Sequence, residues 1–129
     1  MILDTNFLID FLNGKQDAVS KMSSLIEYNI AFAITTPTIF ELWSGLISLE
    51  KSEKEKQKTI SLINEQIVQR LDKESAEIGG RIDGELIKKG LEIDVVDSMI
   101  AGIALAHNKK ILTRDKHFNR VEGLKVENY

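Results

Sequence analysis

The sequence predicts a three-layer α/β/α sandwich built on four or five mostly parallel strands. Two observations carry that expectation. Short apolar runs alternate with longer stretches of helical periodicity, and strands that alternate with helices pair in parallel through crossover connections. The chain of 129 residues also suits one domain, read as 1–129, large enough to bury a core without staples.

The elements follow in order. Met1 to Thr5 reads as a buried strand running into the polar turn Asp4-Thr5-Asn6. Asn6 to Asn13 forms a short helix stopped by Gly14. Ala18, Val19, Met22, Leu25 and Ile26 recur at helical spacing and place a second helix ending near Asn29. Ile30 to Thr35 is a second strand, closed by Thr35-Thr36-Pro37. Ile39, Phe40, Leu42, Trp43, Leu46, Ile47 and Leu49 mark a strongly apolar helix. Glu50 to Lys58 alternates charges and reads as a solvated helical face or a corner. Ile60, Ile63 and Ile67 continue a helix, and Val68 to Leu71 forms a short strand. Ala76, Ile82, Leu86 and Ile87 mark a helix ended by Lys88-Lys89-Gly90, weakened in its middle by Gly79-Gly80. Asp97 to Asn108 is a helix whose small face, Ala101, Gly102, Ala104 and Ala106, lets it approach a sheet closely. Ile111 to Thr113 and Leu124 to Val126 are the last strands.

Composition narrows the function classes. The absence of cysteine excludes disulfides and thiolate metal sites and fits a reducing cytoplasm. No signal-peptide-like core precedes Asp4, and no apolar run approaches the roughly 20 residues that span a bilayer. The expectation is a soluble cytoplasmic protein with no membrane partner. A net charge of −3 argues against a broad nucleic-acid coat but allows a local basic rim.

Four acids stand where a parallel sheet binds ligands, at the carboxyl ends of its strands. Asp4 and Asp115 each follow a predicted strand. Glu41 and Asp97 each open a predicted helix at the same edge. Every one has a plainer reading. Asp4 suits a turn or helix cap, and Glu41 completes a capping-box pattern with Thr38. Asp97 complements a helix dipole, and Asp115 is a loop aspartate. Asp94 competes with Asp97 but lies in the preceding loop. Four crowded carboxylates repel one another, and a hard divalent cation relieves that repulsion. Oxygen ligands without cysteine or a histidine pair favour magnesium or manganese over zinc. Such an ion activates water and clamps phosphate, the chemistry of phosphodiester hydrolysis.

The segments Leu3-Asp4-Thr5-Asn6-Phe7-Leu8-Ile9, Thr38-Ile39-Phe40-Glu41-Leu42, Asp97-Ser98-Met99-Ile100-Ala101 and Leu112-Thr113-Arg114-Asp115 occur in the order of a PIN domain. The tail Phe118 to Asn128 resembles the end of VapC-type toxins. The resemblance spans essentially the whole chain. It implies a magnesium- or manganese-dependent endoribonuclease acting on RNA, usually a homodimer, in systems where a cognate antitoxin inserts a peptide near the active site. It places the acidic roles on Asp4, Glu41, Asp97 and Asp115, with Asn6 and Thr113 supporting them by hydrogen bonds.

Other residues read as follows. His107 caps or complements a helix end, and His117, close to the presumed site, is a loop histidine without a role before it is a phosphate contact. Lys88, Lys89, Arg114, Lys116 and Arg120 are candidates for a phosphate-binding rim or simply surface charge. Trp43 belongs to a core or dimer interface before a base-stacking platform. Two rivals remain at this level. One is a PIN-like module that binds RNA or protein without cleaving. The other is a receiver-type phosphoacceptor, which wants neighbouring acids after its first strand where this chain has Thr5-Asn6.

Overall fold

The computed structural model describes residues 1–129. Five two-residue strands form its centre: β1 (Ile2–Leu3), β2 (Ile34–Thr35), β3 (Val68–Gln69), β4 (Ile111–Leu112) and β5 (Val126–Glu127). Every pairing is parallel, in the ladders β1-β4-β5 and β2-β3. A parallel bridge between Ile2 and Ala33 joins them, giving the order β3-β2-β1-β4-β5. The six helices are α1 (Thr5–Leu12), α2 (Gln16–Glu27), α3 (Thr36–Ser48), α4 (Glu53–Asn64), α5 (Lys73–Lys88) and α6 (Val95–Ala106). A 3-10 helix at Lys116–Arg120 follows β4.

The three layers follow from the two-residue period of the strands. Ile2 and Ile111 point into one apolar cluster with Leu86, Ile100, Ala101, Ala104 and Phe118. Their neighbours Leu3 and Leu112 point into a second cluster with Phe7, Leu8, Ala18, Met22, Leu42 and Leu62. The first cluster takes residues from α5, α6 and the 3-10 helix, the second from α1 to α4. The sandwich foreseen from the sequence is the fold observed.

Several expectations shift in detail. The second strand shrinks to Ile34–Thr35 because Asn29 turns the chain at φ 55° and Ile30 and Ala31 are exposed. The charged stretch after α3 divides into a corner, with Glu50 at φ 50°, and the start of α4. There Ser52 and Glu55 form a reciprocal capping box. Ile67 lies past the end of α4.

The pair Gly79-Gly80 does not interrupt α5, which runs unbroken across it. Gly79 sits where α5 crosses α6. A Cβ there would stand 2.9 Å from the Ser98 carbonyl oxygen, and a Cβ on Gly102 would stand 2.4 Å from that of Ser75. The small face of α6 therefore serves two neighbours. Ala101 and Ala104 pack into the sheet-side cluster, whereas Gly102 admits the backbone of α5.

Candidate active site

β1 lies between β2 and β4: the chain runs from β1 to β2 and β3 on one side, then crosses back to β4 and β5 on the other. In open parallel sheets such a switch point, at the carboxyl ends of the strands, forms a natural crevice. Asp4 occupies it. Its Oδ1 accepts the Thr5 amide at 2.8 Å, and its Oδ2 accepts the Thr113 hydroxyl at 2.7 Å. Asp4 is 1% exposed. Burial raises its carboxyl to about 6, against the lowering pull of the Thr113 and Thr5 bonds, while Glu41 and Asp115 add repulsion.

Glu41 reaches this point from the second turn of α3. The capping box with Thr38 does not form. The cap of α3 is Thr35, whose hydroxyl oxygen accepts the Thr38 amide at 3.2 Å. Glu41 is thereby left free to reach across to α1, where its Oε1 accepts the Thr5 hydroxyl at 2.6 Å. Burial raises its carboxyl, the Thr5 bond opposes this, and Asp94 repels it.

Asp97 lies in the first turn of α6, as the sequence suggests. Desolvation raises its carboxyl to about 7, with further repulsion from Asp4, Glu41, Asp115 and Asp94 in that order. These acids come from four segments of the chain and repel one another at one place. Asp94 is its exposed outer member and is engaged as the N-cap of α6, accepting the Val96 amide at 2.9 Å.

Asp115 joins through Thr113. The buried Thr113 hydroxyl donates to Asp4 and accepts the Asp115 amide at 2.9 Å, tying both acids to one oxygen. Asp115 Oδ1 accepts the His117 amide and lies 2.9 Å from His117 Nδ1. His117, read from the sequence as a loop histidine before a phosphate contact, touches a candidate acid. His107 is the C-cap of α6. The Asn6 side chain makes no hydrogen bond. Of the five basic residues named as a rim or surface charge, Arg114 pairs with Asp10, and Arg120 donates to the Leu91 and Glu92 carbonyls.

Sequence reasoning missed three contributors. Thr5 orients Glu41, and Thr38 accepts from Thr35 at 3.1 Å beneath it. Asp10 is 2% exposed on α1. An acid inside the apolar run Phe7 to Leu12 was the available signal for it.

The donor set is oxygen alone and crowded with negative charge, which suits a hard divalent cation. No three of these groups are gathered tightly enough to hold an ion through protein atoms alone. Magnesium fits such a set because it keeps several waters and takes only one or two carboxylates directly.

The profile of the PIN domain family matches residues 1–124. The chain belongs to the PIN domain family. This PIN domain is 28% identical over 129 residues to Ribonuclease VapC2 of Rickettsia felis, covering 99% of this chain and 96% of the relative. It is equally 28% identical, with the same coverage, to the tRNA(fMet)-specific endonuclease VapC of Shigella flexneri. Among solved structures it resembles VapBC2 from Rickettsia felis bound to a DNA fragment from their promoter. The TM-score there is 0.88 at 26% identity, over 99% of this chain and 97% of the other. No helix of this PIN domain is long and apolar enough to cross a membrane.

Proposed function

We propose that this PIN domain is a magnesium- or manganese-dependent endoribonuclease and the toxin of a toxin–antitoxin pair. The observation that carries the reading is the convergence of Asp4, Glu41, Asp97 and Asp115 at the switch point of the sheet. The full-length likeness to proteins named as ribonuclease and endonuclease supports it.

Asp4, Asp97 and Asp115 would hold the ion directly or through waters, with Glu41 completing the set or orienting the attacking water. When bound, the ion would lower the pKa of a water and offset the charge on the phosphate. Thr113 fixes Asp4 and Asp115 relative to one another. Thr5 holds one oxygen of Glu41, leaving Oε2 to accept a proton from the attacking water. The substrate class is RNA. An antitoxin partner is supported by the likeness to the VapBC2 complex. A homodimer is supported by the exposed Phe40, Trp43 and Ile47, which recur along one face of α3.

The test is cleavage of mixed cellular RNA with manganese, magnesium or EDTA, paired with melting curves. Cleavage that requires the metal is expected. A metal present at a hundred times its dissociation constant should stabilise the fold by about 2.7 kcal/mol. Folded protein that neither cleaves RNA nor responds to either metal would overturn the proposal in favour of a binding module.

A further inference from the structure

Asp10 is a buried charge outside the acidic cluster. Its carboxylate has three partners from three parts of the chain. Tyr129 donates its hydroxyl to Oδ2 at 2.6 Å, Arg114 Nε stands 3.2 Å from the same oxygen, and Lys15 Nζ stands 2.9 Å from Oδ1. Burial alone would raise this carboxyl, but Tyr129, Lys15 and Arg114 together hold it below the usual range. The Tyr129 ring is itself fixed edge-on against Phe7, centroids 4.8 Å apart at 80°. The network is therefore rooted in the core of α1.

Its free end is Arg114, between Thr113 and Asp115. Thr113 is anchored to Asp4 and, through its amide, to the Glu127 carbonyl at 3.0 Å. Phe118, beyond Asp115, is anchored by complete burial. Between those anchors the hydrogen bonds of Asp115 run only to Thr113 and His117. The one polar tie from this turn to a distant element is Arg114 to Asp10.

We infer that Asp10, held by Tyr129, is a positioning residue: it clamps Arg114 and so fixes the turn that presents Asp115 to the acidic site. This also removes Arg114 from the set of side chains free to bind RNA phosphates. The inference rests on the proposed metal site for its functional meaning, but its structural content is measurable without metal.

Two variants isolate it. Tyr129→Phe removes one hydroxyl and keeps the ring on Phe7. Asp10→Asn keeps the shape, and its partners Lys15 and Arg114, with side chains 53% and 50% exposed, can turn to solvent without burying a lone charge. Amide exchange is followed by NMR on metal-free protein. The Asp115 amide should exchange about two- to fivefold faster in either variant, the size of one half-exposed ion pair. Amides in the middle of α5 should keep their wild-type rates. In an Arg114→Gln background neither variant should add to the effect. Manganese titration in the absence of RNA should show weaker binding in the same variants. An unchanged Asp115 amide, equal acceleration of all amides, or additive effects with Arg114→Gln would each overturn the clamp. If the wild type binds no manganese, the metal proposal fails and the exchange data alone decide this one.

Discussion

Replacing Asp97 with asparagine should stabilise the metal-free protein while abolishing cleavage. The carboxyl of Asp97 is raised from 3.8 to about 7 by desolvation and by four neighbouring acids. At about 1.4 kcal/mol per tenfold, full conversion would give a destabilisation of about 4 kcal/mol above neutrality. The side chain is only half-buried, and solvent screening reduces this to about 1–2 kcal/mol. Asparagine removes that strain but also a favourable charge in the first turn of α6, a loss of about 0.5 kcal/mol. The net expectation is a gain near 1 kcal/mol, or roughly 3–6 °C in Tm. The sign follows from linkage. The folded pKa lies above the unfolded one, so wild-type stability is highest below about 4 and falls as pH rises through about 7. The advantage of the variant should therefore be full at pH 8 and mostly gone at pH 4. Melting curves in EDTA at both pH values, with RNA cleavage in manganese at pH 8, measure it. A variant less stable than wild type at pH 8, or one with the same offset at both pH values, would refute the electrostatic reasoning. Wild-type cleavage would remove Asp97 from the site.

Thr113→Val should cost about 2–3 kcal/mol in urea denaturation, because it unbonds buried Asp4 and frees the Asp115 amide. Loss of RNA cleavage should accompany it, whereas Thr113→Ser should recover most of both. Gly102→Ala should cost about 3 kcal/mol by pressing α5 off α6, while Gly84→Ala, with open space around it, should gain about 0.5–1 kcal/mol; denaturation midpoints of the two variants check the contrast.

The candidate site was legible where local pattern and tertiary position agree. Asp4 and Asp115 each end an apolar run, and the end of a parallel strand is a place fixed by topology rather than by distant partners. Asp97 was visible as an acid emerging from Val95, Val96, Met99 and Ile100. Glu41 was visible as an acid, but its local partner was misread. Two threonines three residues apart, Thr35 and Thr38, both suit a cap, and only the tertiary pairing of Thr5 with Glu41 decides between them. Asp10 and Tyr129 lie 119 residues apart, and no local pattern links them. Gly79 lowers helix propensity when read alone. Its reason appears only when Gly102 stands opposite, since close helix contact depends on both glycines. The strands were overextended for a similar reason. Apolar character marks burial, whereas ladder hydrogen bonds need a neighbour at the right height.

The central position of the first strand has a consequence for synthesis. β1 leaves the ribosome first and finds one neighbour early, through the Ile2–Ala33 bridge. Its other flank stays open until Ile111 and Leu112 arrive. Asp4 and Thr113, bonded across 109 residues, cannot meet before then. At about 5–20 residues per second, the half-built sheet persists for several seconds on each nascent chain. Throughout that interval the carboxylates of the candidate site are separated, so an incomplete polypeptide lacks the assembled cluster. Chain connectivity thus keeps these carboxylates apart until translation has passed β4.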